Sequence, residues 1–118
     1  MPDIAAIVSA LLVELRRGTS TLAVLSQLQE PQYGYSLLQQ LEARNVAIEA
    51  GTLYPLLRRL EKQQLLQSAW DTQETRPRKY YVLSDMGVEV YRRLVREWRE
   101  LTKQMDTLLQ EVEADGTH

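Results

Sequence analysis

The C-terminal third of the chain carries an unbroken heptad pattern of large apolar residues. Successive members are alternately three and four positions apart: Tyr91, Leu94, Trp98, Leu101, Met105, Leu108 and Val112. This spacing predicts one long helix that starts near Ser84 and carries all seven residues on a single stripe. A lone helix would leave the stripe in water, so we expect it to pair with another helix, most economically its own copy.

A second apolar face lies at the N-terminus. Residues 4–17 repeat apolar side chains with a helical period, and Gly18 is expected to end that helix. Leu11 and Leu15 are predicted to join the same dimer interface as the C-terminal stripe. A second helix, capped by Thr19 or Ser20, and a third from about residue 33 to 45 should complete a compact helical unit.

The middle of the chain indicates a helix followed by a basic β-hairpin. A helix is predicted from about Gly51, with Pro55 in its first turn and a leucine stripe facing inward. Residues 65–70 and 78–83 have strand-like composition, and a polar turn joins them. Tyr80 and Tyr81 alternate along the second strand, so one of them is expected in the core. This order of elements is typical of a winged helix-turn-helix.

The charge of the chain is unevenly distributed. The formal net charge is −2, yet residues 51–82 carry six basic and three acidic side chains. Residues 104–118 carry four acidic side chains and no lysine or arginine. A basic middle followed by an acidic tail favours a nucleic-acid partner more than the net charge suggests.

Composition excludes several functions. There is no cysteine, and the only histidine is His118 at the end of the chain, so thiolate sites and histidine acid–base pairs are excluded. The remaining carboxylates and lysines are dispersed, so we predict no enzyme activity, no cofactor and no metal. The longest apolar run, residues 4–13, is far short of the ~20 residues of a membrane span. Asp3 replaces the positive start of a signal peptide, so we expect a cytoplasmic bacterial protein.

Three sequence strings stand out: YGY at 33–35, GTLYPLLRRLE at 51–61 and RPRKYY at 76–81. In their order and spacing they resemble the PadR family of bacterial repressors. The resemblance extends over residues 18–87, and the helical C-terminal extension resembles the family's dimerisation helix. It implies a homodimer on an inverted-repeat operator, often released by small aromatic or lipophilic molecules.

Three features depart from the family pattern. Gln64 stands where a glycine usually follows the recognition helix, so a strained backbone is expected there. Glu49 and Ala50 replace the usual small polar helix cap. The wing tip, residues 71–75, has two acidic residues and no glycine, which predicts a mainly electrostatic role for the wing.

The predicted DNA contacts come from two helices and the hairpin. Thr52, Tyr54 and Arg58 lie at the end of the recognition helix that meets base edges, and Arg58 could bind guanine or a phosphate. Tyr35, Arg59 and Lys62 are expected at the DNA backbone. The wing residues Arg76, Arg78 and Lys79 are expected either to read the width of the minor groove or to contact phosphates. On charge alone these could be a solvated basic face, so a winged-helix module that binds protein and no DNA is the alternative.

Trp98 on the heptad stripe has two interpretations. It is a large filler of the dimer interface, or it forms one wall of a pore for flat aromatic ligands, with Met105 as adaptable lining. In the PadR family such pores lie between the C-terminal helices and the DNA-binding domains.

The predicted fold is therefore mainly α with a small β-hairpin. Residues 1–17 form an N-terminal helix of the dimer interface, and residues 18–83 form the winged helix-turn-helix domain. Residues 84–118 form the dimerisation helix and the acidic tail.

Overall fold

The computed structural model describes residues 2–73 and 75–115, with side chains described up to residue 112. In these ranges the chain forms α1 (Ile4–Ser26), β1 (Gln32–Tyr33), α2 (Gly34–Ala43), α3 (Ala50–Lys62), β2 (Leu66–Asp71), β3 (Arg78–Leu83) and α4 (Asp85–Asp115). The strands form one antiparallel sheet in the order β1-β3-β2. The predicted fold class is confirmed, and the acidic tail beyond residue 112 lies outside the described side chains.

The first helix is longer than predicted. α1 runs without interruption for 23 residues, so the prediction that Gly18 ends a helix is wrong. Gly18 avoids the left-handed conformation of a C-terminal glycine. Thr19 and Ser20, expected as caps of a new helix, instead donate their hydroxyls to the Arg16 carbonyl at 2.9 Å. Packing of α1 against α4 outweighs the ~1 kcal/mol preference against an interior glycine.

Pro55 also lies deeper in its helix than predicted. α3 begins at Ala50 after the N-cap Glu49, so Pro55 belongs to the second turn and not the first. Its ring nitrogen cannot donate to the carbonyl of Gly51. Both residues are exposed, and water can satisfy that carbonyl.

The core lies within residues 24–83. The second half of α1, α2, α3 and the hairpin bury one cluster whose fully enclosed members include Val24, Leu28, Leu37, Leu53 and Leu57. The leucines of α3 face inward as predicted. Of the two adjacent tyrosines, Tyr81 is the core residue, because it alternates with Leu83 on the inner face of β3.

The start of α4 is fixed to the turn between α3 and β2. The Ser84 hydroxyl accepts from the Gly87 N–H at 2.9 Å and donates to the Gln64 carbonyl at 2.7 Å. Gln64 has φ of 66°, the strained backbone expected from the missing glycine. A Cβ on Gly87 would lie 2.0 Å from the Leu65 carbonyl oxygen. Only glycine therefore allows α4 to start this close to the turn.

Across the described residues, no helix is both long enough and apolar enough to cross a membrane.

Candidate nucleic-acid interface

The outer face of α3 carries a row of exposed polar and basic residues. Thr52, Arg58, Arg59 and Lys62 are all exposed, opposite the buried leucines. In the part of the chain that the structure describes, these three basic side chains form no ion pair. The Glu49 side chain makes no capping hydrogen bond, in agreement with the departure seen in the sequence. The start of α3 therefore keeps backbone N–H groups available to a ligand.

Tyr54 is held in place by the first residue of α2. A Cβ added to Gly34 would lie 2.5 Å from the Cε1 atom of Tyr54, so the ring rests directly on this glycine. Tyr54 is half-buried as a result, whereas Tyr35 in the first turn of α2 is 67% exposed. The contact gives a physical reason for glycine between the two tyrosines at 33 and 35. It also orients a predicted DNA contact by packing rather than by a hydrogen bond.

An ion pair joins α3 to the hairpin. The Lys79 ammonium lies 3.1 Å from the Glu61 carboxylate, which also accepts from the Ser68 hydroxyl. The hydrogen bond from Ser68 and the charge of Lys79 lower the pKa of Glu61. Lys79 also lies 5.3 Å from the centre of the Tyr81 ring. Lys79, which is a predicted DNA contact, therefore also helps to fix the angle between α3 and the wing.

A second cluster binds the wing to β1. The Tyr33 hydroxyl donates to the Asp71 carboxylate at 2.6 Å, and the Gln73 N–H donates to the same group at 3.1 Å. These hydrogen bonds lower the pKa of Asp71. The Arg78 guanidinium stacks 4.3 Å above the Tyr33 ring. One of the two wing-tip acids therefore has a structural role, and the other, Glu74, lies outside the described residues.

Sequence reasoning missed the roles of Tyr33, Glu61, Ser68 and Asp71. Their partners are far apart in the chain, so no local period signals them. The exposed Arg76 precedes β3 in the turn and is not part of either cluster. The nine predicted DNA contacts thus divide between the open face of α3, the first turn of α2 and the wing.

The predicted dimer stripe is exposed for most of its length. Side chains at 94, 98, 101, 105, 108 and 112 are between 38% and 55% exposed. Leu11 and Leu15 of α1 are exposed by 60% and 71%. Tyr91 differs, because it is half-buried against the chain's own core. A large apolar surface of this kind is rare on monomeric proteins.

Trp98 lines an apolar groove between α1 and α4. The groove has a volume of about 420 Å³, and Leu15, Leu22, Leu94 and Leu101 surround the indole. Met105 is not among its lining residues. Within one chain the structure therefore brings Trp98, but not Met105, to this groove.

The fold is a winged helix-turn-helix, which is typical of transcription regulators, a class that acts by binding DNA. The chain belongs to the PadR family: the model described as "Transcriptional regulator PadR-like family" matches residues 21–93. This confirms the resemblance found in the three sequence strings.

Solved structures agree with the assignment. A PadR family transcriptional regulator from Eggerthella lenta is 50% identical, with a TM-score of 0.83 over 89% of this chain and 94% of that one. A PadR family transcription regulator from Clostridium difficile is 30% identical, with a TM-score of 0.70 over 75% of this chain and 96% of that one.

A relative known by its sequence is also similar. It is an uncharacterised protein of Lysinibacillus sphaericus that is 30% identical over 90 residues, which are 73% of this chain and 83% of that protein.

Proposed function

We propose that this regulator is a repressor that binds an inverted-repeat operator as a homodimer and is released by a small aromatic or lipophilic molecule. The observation that carries the proposal is the exposed row of Arg58, Arg59 and Lys62 on α3, which form no ion pair with any side chain that the structure describes. Exposed cations of this kind are suited to phosphates and base edges.

In this proposal α3 enters the major groove with its first turns at the bases. Thr52 and Tyr54 contact base edges or the adjoining phosphate, and Arg58 binds guanine through two hydrogen bonds. Tyr35, Arg59 and Lys62 contact the backbone. In the wing, Arg76, Arg78 and Lys79 supply positive charge near the minor groove.

The homodimer is supported by the exposed apolar residues of α1 and α4. Pairing of the stripe with a second copy would remove those side chains from water. A symmetric dimer would present two α3 helices to one duplex, with half-sites about 34–36 Å apart for one helical turn. Operator occupancy would then exclude the transcription machinery.

Release by an effector is supported by the groove at Trp98. Its indole and leucine lining suits a flat apolar ligand better than a charged one. Because the groove lies between α1 and α4, a bound ligand would alter how two subunits meet. The spacing of the two α3 helices would change with it.

DNA binding is tested with the duplex upstream of the gene and a random duplex of equal length. If about six phosphates are contacted, log affinity should fall against log salt with a slope of about −5. The upstream duplex should bind more tightly than the random one. A flat salt response would instead favour the alternative, a winged-helix module that binds protein.

Repression and release need separate measurements. Deletion of the gene should raise expression from its own promoter, and a fall would indicate an activator. Aromatic compounds are titrated into Trp70→Phe, in which Trp98 is the remaining tryptophan. Quenching of its fluorescence supports an effector site, and unchanged fluorescence at high concentration contradicts it.

A further inference from the structure

A second basic surface lies where α1 passes the start of α3. An open cleft of about 500 Å³ separates the two helices. Three arginines are among its lining residues: Arg16 and Arg17 come from α1, and Arg59 comes from α3. Thr52 lines the same cleft. The cleft therefore joins two residues of the predicted DNA-binding set to a pair of arginines outside that set.

The charge of this cleft is not balanced by its own walls. Glu49 is the one carboxylate among its lining residues. Arg16, Arg17 and Arg59 are exposed, and none forms an ion pair with any side chain described in residues 2–73 and 75–112. Three like charges around one cavity repel each other, and a bound anion would relieve that repulsion.

The residue types specify what kind of anion fits. A guanidinium presents a planar set of N–H donors that matches phosphate oxygens, often with two parallel hydrogen bonds. The Thr52 hydroxyl adds a neutral donor. Two of the arginines belong to α1 and the third belongs to α3, so an anion with several oxygens has donors available from both helices that line the cleft.

We propose that the cleft binds a phosphate group through Arg16, Arg17 and Arg59. The immediate source is a backbone phosphate of bound DNA, because Thr52 and Arg59 belong to the helix proposed to enter the major groove. That source rests on the proposed function and extends the DNA interface to α1. A free phosphate offers the same chemistry, and it needs no DNA binding.

The test uses the full chain with Arg16→Ala and Arg17→Ala combined. The matched control combines Arg96→Ala and Arg99→Ala, which removes two exposed arginines of α4 that do not line the cleft. Arg16→Lys with Arg17→Lys keeps the charge without the planar donors. Circular dichroism checks the fold, and single Arg16→Gln and Arg17→Gln variants carry the same test if the double variant fails to fold.

The first measurement is DNA affinity as a function of salt. Loss of this one phosphate contact should make the slope of log affinity against log salt shallower by about 0.9 per protomer. Affinity should fall by the same factor on the upstream and random duplexes, because a phosphate carries no sequence information. The control should bind like the wild type, and the lysine variant should keep more of the slope than the alanine variant.

The second measurement compares inorganic phosphate with chloride at equal ionic strength. If free phosphate binds, it should raise the Tm of the wild type and of the α4 control, but not that of the Arg16→Ala, Arg17→Ala variant. If the Arg16→Ala, Arg17→Ala variant has a shallower salt slope for DNA affinity, the bound group is a backbone phosphate. If only the rise of Tm in inorganic phosphate is lost in this variant, the bound group is the free anion. If both measurements show no effect, or if the control changes equally, the cleft is not a phosphate site. A wild type that binds no DNA overturns the proposed function, and the phosphate measurement still decides the cleft.

Discussion

Large apolar side chains are buried in the winged-helix region but exposed along much of the two flanking helices. Within residues 24–83 the large apolar side chains form a closed cluster, with Leu37, Leu53 and Leu57 wholly buried. In the first half of α1 and the second half of α4, residues such as Leu11 and Leu101 are more than half exposed. The first region buries its hydrophobic residues within one chain. The second has an apolar face that a single chain leaves uncovered.

The difference separates the apolar residues that form the fold from those that a single chain leaves exposed. Leu53 and Leu101 each belong to a regular helical stripe, so periodicity alone assigns both to an apolar interface. Only the tertiary structure shows that the apolar residues of α3 pack against other elements of the chain, whereas those in the second half of α4 remain exposed.

Leu101→Glu should break the apolar interface of α4. If the stripe pairs with a second copy, the change places two carboxylates in an apolar seam, and an uncompensated buried charge costs about 3–5 kcal/mol. The dimer should dissociate, and sedimentation should give the mass of a monomer.

Gln110→Glu is the matched control for this change. It adds the same charge on α4 at an exposed position away from the stripe and should leave the mass unchanged. An unaltered mass for Leu101→Glu would contradict the assignment of the heptad stripe to a dimer interface.

Gly87→Ala and Gly18→Ala should have opposite effects on stability. A Cβ at position 87 would meet the backbone carbonyl of Leu65, and overpacking of this kind costs about 1–3 kcal/mol. A Cβ at position 18 would meet no atom within 4 Å, and alanine in a helix is favoured over glycine by roughly 0.5–1 kcal/mol. Urea unfolding of both variants measures the two free energies. Equal destabilisation would show that Gly18 also has a close neighbour in the assembled protein.

The same contrast explains which features local sequence could predict. The inward leucines of α3, the hairpin and the start of α4 follow from short-range periods and composition. The positive φ of Gln64 could be anticipated because the strings around it imply a glycine at that place. The continuity of α1 through Gly18 could not, because packing against α4 decides it.

Contacts between distant residues were equally inaccessible. β1 has only two residues, Gln32 and Tyr33, and two residues show no alternation. The pairing of Glu61 with Lys79 depends on the register of the hairpin against α3. The sequence therefore offers a basic set of candidate DNA contacts, but it does not reveal which of those side chains the chain itself holds in place.

Arg58→Ala should weaken binding to the upstream duplex by roughly 1–3 kcal/mol if the guanidinium reads a base. Binding to a random duplex should change much less, because it depends on phosphates. Fluorescence anisotropy with labelled duplexes measures both affinities. Lys62→Ala is the comparison within the same exposed row, and we expect it to weaken binding to both duplexes equally. An equal loss on both duplexes for Arg58→Ala would make that residue a phosphate contact.

Glu61→Gln should have the smallest effect, about 0.5–1 kcal/mol at neutral pH, because a partly exposed ion pair contributes little. The variant keeps the shape of the side chain but removes its charge opposite Lys79. Hydrogen bonding from Ser68 and the charge of Lys79 lower the pKa of Glu61 in the folded chain. Its stabilisation is therefore complete above the ordinary glutamate pKa of about 4.3 and is lost as pH falls through the lowered value.

Urea unfolding of wild type and variant across pH measures this difference. The gap between the two should be constant near neutrality and should close in acid. Glu89→Gln supplies the control, since Glu89 pairs with Arg93 at 3.0 Å on exposed α4 and joins no two elements. It should cost less than Glu61→Gln and leave DNA affinity unchanged. A gap for Glu61→Gln that persists in strong acid would mean that shape and packing, and not charge, join α3 to the wing.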